Sequence, residues 1–360
     1  ALSWRWILFV NLPIAVIACV VTWRAVPESR VEAGRERIDY VGITSLTVGL
    51  MSLLIALDQV TLWGWNDPRI IGLFVLCVAS LVAFAFAERR AGSSALIPRD
   101  VMGNPGFRSA CIATLLMSAV FFAVLLFLPQ FFQKILGYDP LESGAALLPM
   151  LGVFAVTSFV AGPLYNRFGA KVIVSAGALC LTAGTFLISL AERDSGWASL
   201  VPGMVVTGMG VGLFYSSITT AGVTALDPSR SSLAGGIIYM FQIAGGSIGL
   251  GLTTTVFTTA SEDALQADLT GTRLSGAEVD SLHGALAGTD SANSLLARFS
   301  SQTADRLMEL VREAFAAGMQ WAFRLVALLA LAGLIVSVLF VGGSLLGARG
   351  RPAAQREASA

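Results

Sequence analysis

Charged residues are scarce in this chain of 360 residues. Aspartate, glutamate, lysine and arginine make up 13% of it, whereas hydrophobic residues make up 55%. Soluble domains carry about 25% charged residues and use them to cover their cores. This composition therefore excludes a soluble globular protein and favours one that lies in a bilayer. The 23 basic and 23 acidic residues cancel, so no excess positive charge points to a nucleic-acid partner.

The residues that build metal centres and polar active sites are also few. The only histidine, His283, lies in the most polar segment. The four cysteines all fall in apolar runs, which predicts free, buried thiols and neither disulfides nor metal ligands: Cys19, Cys77, Cys111 and Cys180. No nucleophile–base pair or phosphate loop is visible among the apolar runs. We expect no enzyme, no catalytic or metal site and no cofactor.

Apolar runs long enough to span a membrane are abundant. A spanning helix needs roughly 20 predominantly apolar residues. Nine runs meet this need, which predicts an all-α polytopic membrane protein with nine transmembrane helices: about 6–26, 40–58, 70–87, 109–133, 144–164, 172–191, 200–222, 234–258 and 321–346. Arg324 lies one turn inside the last run, and we interpret it as a side chain that reaches out to the membrane surface.

The basic residues predict the orientation of these helices. Of the 23 lysines and arginines, 14 fall in the connections after runs one, three, five and seven and in the C-terminal tail, and only four fall in the N-terminus and the short connections on the other side. Cytoplasmic loops carry the excess of basic residues. We therefore expect the N-terminus outside and the C-terminus in the cytoplasm, in a bacterial plasma membrane.

The longest polar stretch covers residues 259–320, which we expect to be an extracytoplasmic loop. Its first part, from Glu262 to Asn293, is rich in Ser, Thr, Ala, Gly and Asp, which is typical of a mobile segment. From about residue 295 apolar residues return at helical spacing, which predicts an amphipathic helix that continues into the last span. A lid or docking arm is possible there, and a surface spacer is the simpler interpretation.

The stretch 162–171 is a short, charged connection between two apolar runs. We expect Gly162 and Pro163 to end one helix and Gly169 to permit a tight reversal. Arg167 and Lys171 should hold this connection on the cytoplasmic side. The predicted gate loop comprises Gly162, Pro163, Asn166, Arg167, Gly169 and Lys171. It could be a latch that steadies one state of a conformational cycle, or a turn that only sets orientation.

Polar and aromatic side chains within the runs suggest a binding cavity. They offer rings, hydroxyls and amides but no charge, which suits amphiphilic organic molecules. The alternative is ordinary helix packing with phenylalanines facing lipid. The candidate cavity comprises Phe121, Phe122, Gln130, Phe154, Thr157, Tyr215, Tyr239 and Gln242.

Several motifs, taken in order, resemble the fourteen-helix drug:proton antiporters of the major facilitator superfamily. They are 4–14 with 27–29 (sixth helix), 38–42 (seventh helix), 63–65 (the following loop), 128–144 (exit of the ninth helix), 162–169 (signature loop of the second half), and 234–236 with 245–249 (thirteenth helix). Asn166 stands where the signature loop usually has aspartate. Tyr239 and Gln242 stand where relatives often have Asn and Arg, which favours a different substrate preference.

The resemblance implies a domain organisation. Residues 1–30 would be the last helix of the first half, 31–108 a two-helix insertion with its linkers, 109–348 the second six-helix half including the 259–320 loop, and 349–360 a cytoplasmic tail. Five helices of the first half would be absent, together with most of the acidic residues that couple protons in this family.

The resemblance also implies a function. It is export of amphiphilic drugs by proton antiport, through alternating access and driven by the proton gradient, in a monomer that contacts lipid, protons and its small-molecule substrate. Export of one endogenous metabolite or self-made antibiotic is an alternative within the same class. A non-transporting membrane scaffold or receptor is the alternative from another class.

Overall fold

The structure, a computed structural model, describes residues 9, 11–25, 39–64, 67–91, 97, 99–190, 195–269 and 301–342. The chain divides into two compact units, residues 1–39 and 40–360. In the first unit, helix α1 (Asn11–Ala25) has 15 residues and exposes its side chains along its whole length. It is the described part of the predicted span 6–26, and the ends of that span lie outside the described residues.

The second unit is a bundle of long helices with two short ones. They are α2 (Tyr40–Trp63), α3 (Pro68–Ala91), α4 (Arg99–Gly103), α5 (Pro105–Lys134), α6 (Pro140–Ala146), α7 (Leu148–Phe168), α8 (Ala170–Ser189), α9 (Trp197–Thr224), α10 (Ser231–Leu269) and α11 (Ser301–Phe340), with a 3-10 turn at Pro228–Arg230 before α10. Counting α6 and α7 as one span, the described residues contain eight helices long and apolar enough to cross a membrane. These are the predicted spans two to nine, so the all-α polytopic fold is confirmed.

Two groups of three helices build the larger bundle. Helix α9 packs against both α7 and α8, and α5 packs against both α10 and α11. The groups meet where α11 contacts α8 and where α5 contacts α9. The hairpin of α2 and α3 joins the bundle through α2, which contacts α10. The core is therefore centred on α5, which contributes the largest share of its buried residues, with α11 and α9 as its next largest contributors.

Glycines bring α9 to backbone contact with its two neighbours. A Cβ atom added at Gly177 on α8 would lie 2.6 Å from the backbone nitrogen of Phe214, and one added at Gly210 would lie 2.8 Å from the Cα of Leu181. On the other side, a Cβ at Gly212 would lie 2.8 Å from the carbonyl oxygen of Phe154 on α7. Small residues permit this approach in membranes, where van der Waals packing replaces the hydrophobic effect between helices.

The second group of helices uses the same device. A Cβ added at Gly245 on α10 would collide with the backbone of Leu115 on α5, and one at Gly249 with Ala119 one turn further on. Gly251 faces the side chain of Leu57 on α2, so the same helix also anchors the hairpin. These glycines all lie on packed helix faces.

Two helix starts carry side-chain caps. Asn104 accepts backbone hydrogen bonds from Gly106 and Phe107 at 2.9 and 3.2 Å, with Pro105 as the first residue of α5. Asp139 and Glu142 form a reciprocal capping box at the start of α6. Such caps satisfy amide groups that have no partner inside the helix. The capping box opens the short α6, and α7 continues the same span.

The predicted helix end at Gly162 and Pro163 is wrong. Helix α7 continues through both residues to Phe168, with Pro163 inside it. Proline removes one helical hydrogen bond, but neighbouring helices and local adjustment make this loss tolerable in transmembrane helices. The reversal is confined to Gly169, whose φ of 86° and ψ of 165° lie in a region open almost only to glycine.

The 259–320 segment contains more helix than its polarity predicts. Helix α10 extends to Leu269, so the residues from Glu262 to Leu269 are helical, and the rest of the segment predicted to be mobile lies outside the described residues. Helix α11 is continuous from Ser301 to Phe340, as expected for an amphipathic stretch that runs into the last span. Its predicted apolar stripe is buried at Leu307, Val311, Ala314 and Phe315. The apolar runs therefore predict which residues lie in the bilayer, but they do not predict where the helices begin and end.

The glycine contacts of α9 predict a sharp difference between two substitutions. Gly210→Ala should destabilise the protein by about 1–3 kcal/mol, because the added methyl group overpacks a backbone contact. Gly72→Ala on α3 should be neutral or slightly stabilising, since nothing lies within 4 Å of its Cβ position. Thermal unfolding of both purified variants measures the difference. Equal melting temperatures would contradict the packing described.

Candidate small-molecule site

Three aromatic rings from three helices meet in the half-buried part of the bundle. The ring of Phe121 on α5 lies 6.2 Å from that of Phe154 on α7 and 5.8 Å from that of Tyr215 on α9, measured between centroids. Tyr215 also stands edge-on to Phe214, at 5.6 Å. We call Phe121, Phe154 and Tyr215 the aromatic cluster. Three of the predicted cavity residues are therefore brought together.

A buried hydrogen bond fixes the orientation of Tyr215. Its hydroxyl donates to Oγ of Ser118 on α5 at 2.8 Å, and Ser118 is completely buried. Ser118 and Phe121 are three residues apart and share one face of α5. The sequence analysis missed Ser118. The spacing to Phe121 was the available signal, but a serine in an apolar run carries no mark of its partner.

Phe122 connects the aromatic cluster to α10. Its ring lies edge-on to Phe121 at 5.8 Å and packs against Gly246, where an added Cβ atom would lie 2.8 Å from the ring. Gln242 and Tyr239 precede Gly246 by four and seven residues and therefore share its helix face. Gln242 is half-buried and Tyr239 is exposed. The two residues therefore lie on the α10 face that meets Phe122, one and two turns before Gly246.

The remaining two predicted residues have other surroundings. The hydroxyl of Thr157 donates to the carbonyl oxygen of Val153 on its own helix at 2.8 Å, and the side chain faces Gly212. Thr157 therefore serves the contact of α7 with α9. Gln130 is half-buried on α5, more than two turns beyond Phe121. Thr157 meets the aromatic cluster at the main chain of Phe154, whose carbonyl oxygen lies 3.2 Å from the Thr157 hydroxyl.

The site combines apolar surface with hydroxyl groups. Thr219 and Thr220 are exposed one turn beyond Tyr215 and Ser216 on α9, and their hydroxyls donate to those two residues' carbonyl oxygens at 3.0 Å. The middle of the apolar runs of α5 and α7–α10 contains no charged side chain. Such a surface can bind rings and alkyl groups, with few hydrogen bonds to orient them. It offers no acid–base pair.

Metal and thiol chemistry find no support in the described residues. No group of three or more His, Cys, Asp or Glu side chains among them could hold a metal ion. All four cysteines are free, as predicted. Cys77 and Cys111 are buried, whereas Cys180 is half-buried and Cys19 is exposed, so the expected burial holds for two of them. His283 lies outside the described residues.

The predicted gate loop forms the junction of α7 and α8. Gly162, Pro163, Asn166, Arg167 and Gly169 are exposed. The Arg167 guanidinium lies 5.3 Å from the ring centroid of its neighbour Phe168. Lys171 is buried at the start of α8, and its backbone nitrogen lies 2.9 Å from the Cβ position of Gly342, after α11. The junction therefore presents an amide, a guanidinium and no carboxylate.

The sequence analysis missed a second polar contact at the same end of the bundle. Asp100 on α4 forms an ion pair with Arg230, in the connection between α9 and α10. The side-chain amide of Asn104 donates to the carbonyl oxygen of Ala225 at 2.8 Å. Buried residues lie next to these contacts: Val101, Phe107, Cys111, Ala234, Ile237 and Ile238. They fix the entry to α5 against the start of α10.

Comparison with known proteins decides the family. The model of the Major Facilitator Superfamily matches residues 1–250. The chain belongs to this superfamily. It is a multi-pass membrane protein in a family of transporters, which points to transport and not to enzymatic chemistry.

Relatives in this superfamily bear the names of drug exporters. The chain is 27% identical to multidrug transporter protein MdtP of Bacillus subtilis over 74% of its length and 49% of the relative's. It is 30% identical to puromycin resistance protein pur8 of Streptomyces alboniger, over 72% and 52%. It is 32% identical to multidrug resistance protein Stp of Mycobacterium tuberculosis, over 71% and 47%. The chain thus spans about half the length of these relatives. They confirm the resemblance to drug antiporters of this superfamily.

The junction of α7 and α8 yields a stability prediction with an internal control. Gly169→Ala should destabilise the protein by about 1–3 kcal/mol, because alanine avoids the backbone conformation found there. Gly152→Ala should stabilise by about 0.5–1 kcal/mol, because Gly152 lies inside α7, is not followed by proline and has open space around its Cβ position. Chemical denaturation of both variants measures the two effects. Opposite signs are expected, and no destabilisation by Gly169→Ala would contradict the backbone conformation described for the reversal.

Proposed function

We propose that the chain is part of a secondary active exporter that moves amphiphilic drug-like molecules out of the cell in exchange for protons. In this proposal residues 109–348 form the second six-helix half, residues 1–30 form the last helix of the first half, and five further helices of the first half complete the transporter. The two halves rock about a site near the middle of the membrane. The observation that carries the proposal is the aromatic cluster of Phe121, Phe154 and Tyr215, set in a superfamily whose similar members are named for drug resistance.

The aromatic cluster suits amphiphiles for three reasons. Its rings provide apolar contact area and also attract cations through their faces. Each ring comes from a different helix, so a small tilt between helices changes the shape of the surface. The hydrogen bond from Tyr215 to Ser118 satisfies the only polar group of the cluster, which leaves it free of groups that would reject an apolar molecule.

The proton carriers of the exchange are expected in the first half, among the helices outside the chain. The middle of the apolar runs of α5 and α7–α10 contains no Asp, Glu or His. A side chain that carries protons through the membrane must be ionisable and must lie at membrane depth. The chain thus supplies binding surface and moving helices, and the first half supplies the titratable groups.

One alternative is an exporter of a single endogenous compound or self-made antibiotic. It is favoured by relatives from Streptomyces named for puromycin resistance and for tetracenomycin C resistance and export. Another is a membrane scaffold or receptor that transports nothing. Efflux that depends on the proton gradient separates transport from the scaffold, and a panel of unrelated compounds separates broad from narrow export.

The orientation, the domain boundaries and the gate loop complete the proposal. The C-terminus faces the cytoplasm of a bacterial plasma membrane, the protein works as a monomer, and residues 31–108 form an insertion between the halves. The junction of α7 and α8 would steady one state of the cycle through Asn166 and Arg167. Both residues are exposed, which suits contact with the first half as the two halves move.

The site predicts a graded loss of export. In the complete transporter, Phe121→Ala, Phe154→Ala and Tyr215→Ala should each lower the rate of efflux of an amphiphilic dye several-fold, because loss of one ring from such a cluster costs about 1 kcal/mol or more. The measurement is dye efflux from energised cells at matched expression. Leu328→Ala, on the exposed face of α11, is the control and should leave efflux unchanged.

These outcomes also test the proposal. An uncoupler should abolish efflux in the unchanged protein. Full activity in all three ring variants would contradict the assignment of the site, whereas no gradient-dependent efflux of any compound would contradict transport itself.

The gate loop predicts a change in rate without a change in selectivity. Asn166→Asp places a carboxylate next to Arg167 and restores the acid usual in the signature loop. We expect altered transport kinetics and an unchanged order of preference among substrates. Asp67→Asn, at the turn between α2 and α3, is a charge-changing control and should alter neither. A reordered substrate preference in Asn166→Asp would refute the latch and place the residue in the binding site.

A further inference from the structure

Helices α10 and α11 form a groove on the outer part of their shared face. They are held together where a Cβ atom added at Gly318 would lie 2.7 Å from the carbonyl oxygen of Phe257. The rings of Phe257 and Phe315 meet edge-to-face next to this contact, at 5.0 Å between centroids. Beside it the surfaces separate and leave a groove of about 670 Å³. Its residues belong neither to the aromatic cluster nor to the gate loop.

The groove combines apolar walls with polar groups at defined places. Its α10 wall repeats at one-turn spacing with Thr255, Thr259 and Asp263, and its α11 wall holds Ala317 and Trp321. Val256, Ala260 and Ala264 complete the lining. Thr259 and Asp263 are both exposed. One end of the groove therefore carries a carboxylate, and its middle carries hydroxyls over an apolar floor.

A guanidinium lies next to Trp321, the lining residue of α11 that is furthest along the chain. The Arg324 guanidinium sits 5.0 Å from the centre of the Trp321 ring, and both residues are exposed. Trp321 is the first residue of the predicted last span, and tryptophan settles at the level of lipid head groups. Arg324 lies one turn deeper and reaches back to this level. The anionic and cationic groups thus lie at opposite ends, with the anion further from the membrane centre.

This order of charges matches a zwitterionic phospholipid. The phosphate of such a lipid lies closer to the membrane centre, and its ammonium group lies further out. We propose that the groove binds a phospholipid whose head group carries a primary ammonium, as in an ethanolamine lipid. Asp263 and the Thr259 hydroxyl receive the ammonium, the Arg324 guanidinium binds the phosphate, and an acyl chain lies along Val256, Ala260 and Ala317.

Charge complementarity favours this occupant over the others. A glycerol lipid has no cation for Asp263. A choline lipid has a quaternary ammonium, which cannot donate a hydrogen bond to the carboxylate or the hydroxyl. An amphiphilic cation without a phosphate would satisfy Asp263 but not Arg324. Only a primary-ammonium phospholipid uses both charged groups, and each charge-assisted hydrogen bond is among the strong contacts a protein can offer.

Native mass spectrometry of the complete, detergent-purified transporter tests the proposal. The probes are ethanolamine, choline and glycerol phospholipids with identical acyl chains, titrated separately. We expect the ethanolamine lipid to bind best. Asp263→Asn should weaken it about tenfold, the effect of losing one charge-assisted hydrogen bond, and leave the glycerol lipid unchanged. Arg324→Gln should weaken both lipids, because both carry a phosphate.

Two further variants guard the test. Arg69→Gln removes a matched cation, since the Arg69 guanidinium lies 5.2 Å from the Trp63 ring at the turn between α2 and α3, and should leave lipid binding unchanged. Thr259→Trp fills the groove from an exposed position and should weaken all three lipids. Equal binding of the three head groups, or an ethanolamine preference that survives Asp263→Asn, would overturn the proposal. The proposal would also be overturned if an amphiphilic cation competed for the groove while the three lipids bound with equal affinity.

Discussion

Backbone contact between helices, made possible by glycine, is the constraint on which the bundle depends. Helix α9 touches α8 through Gly177 and Gly210 and touches α7 through Gly212, and in each case a single methyl group would collide with main-chain atoms. Hydrophobic side chains cannot drive helices together in lipid, because the lipid tails are equally apolar. Close approach supplies the dispersion contacts that replace this force. The glycine positions thus set which helices are neighbours and at what level they meet.

The aromatic cluster follows from these contacts. Phe154 lies on α7 beside Gly212, and Tyr215 lies three residues further along α9. The two rings therefore emerge at the same level because the helices that carry them are fixed there. Phe121 joins them from α5, where Ser118 holds the Tyr215 hydroxyl. The structure can present large rings in the half-buried part of the bundle because small residues close the helix contacts beside them.

Features that depend on local sequence could be predicted. The capping box of Asp139 and Glu142 follows from a proline and an acid at fixed distances, and the eight long spans follow from composition. The helix end assigned to Pro163 was wrong, because proline breaks helices in water more strictly than in a bundle whose neighbours compensate. Ser118 was missed because its role exists only through a partner 97 positions away. The contacts among Phe121, Phe154 and Tyr215 could not be predicted either, because they depend on how three separate helices pack.

The length of the last two helices has a mechanical consequence. Helices α10 and α11 have 39 and 40 residues, about 60 Å each, whereas a bilayer with its head groups is about 40–45 Å thick. The two helices contact each other, and Leu265 and Leu307 are buried in their outer parts. A tilt of this half about the middle of the membrane would move the far end of the pair more than any residue of the aromatic cluster. In the proposed exporter the projecting pair would act as a lever arm, and a spectroscopic label at its end should move further than one in the aromatic cluster.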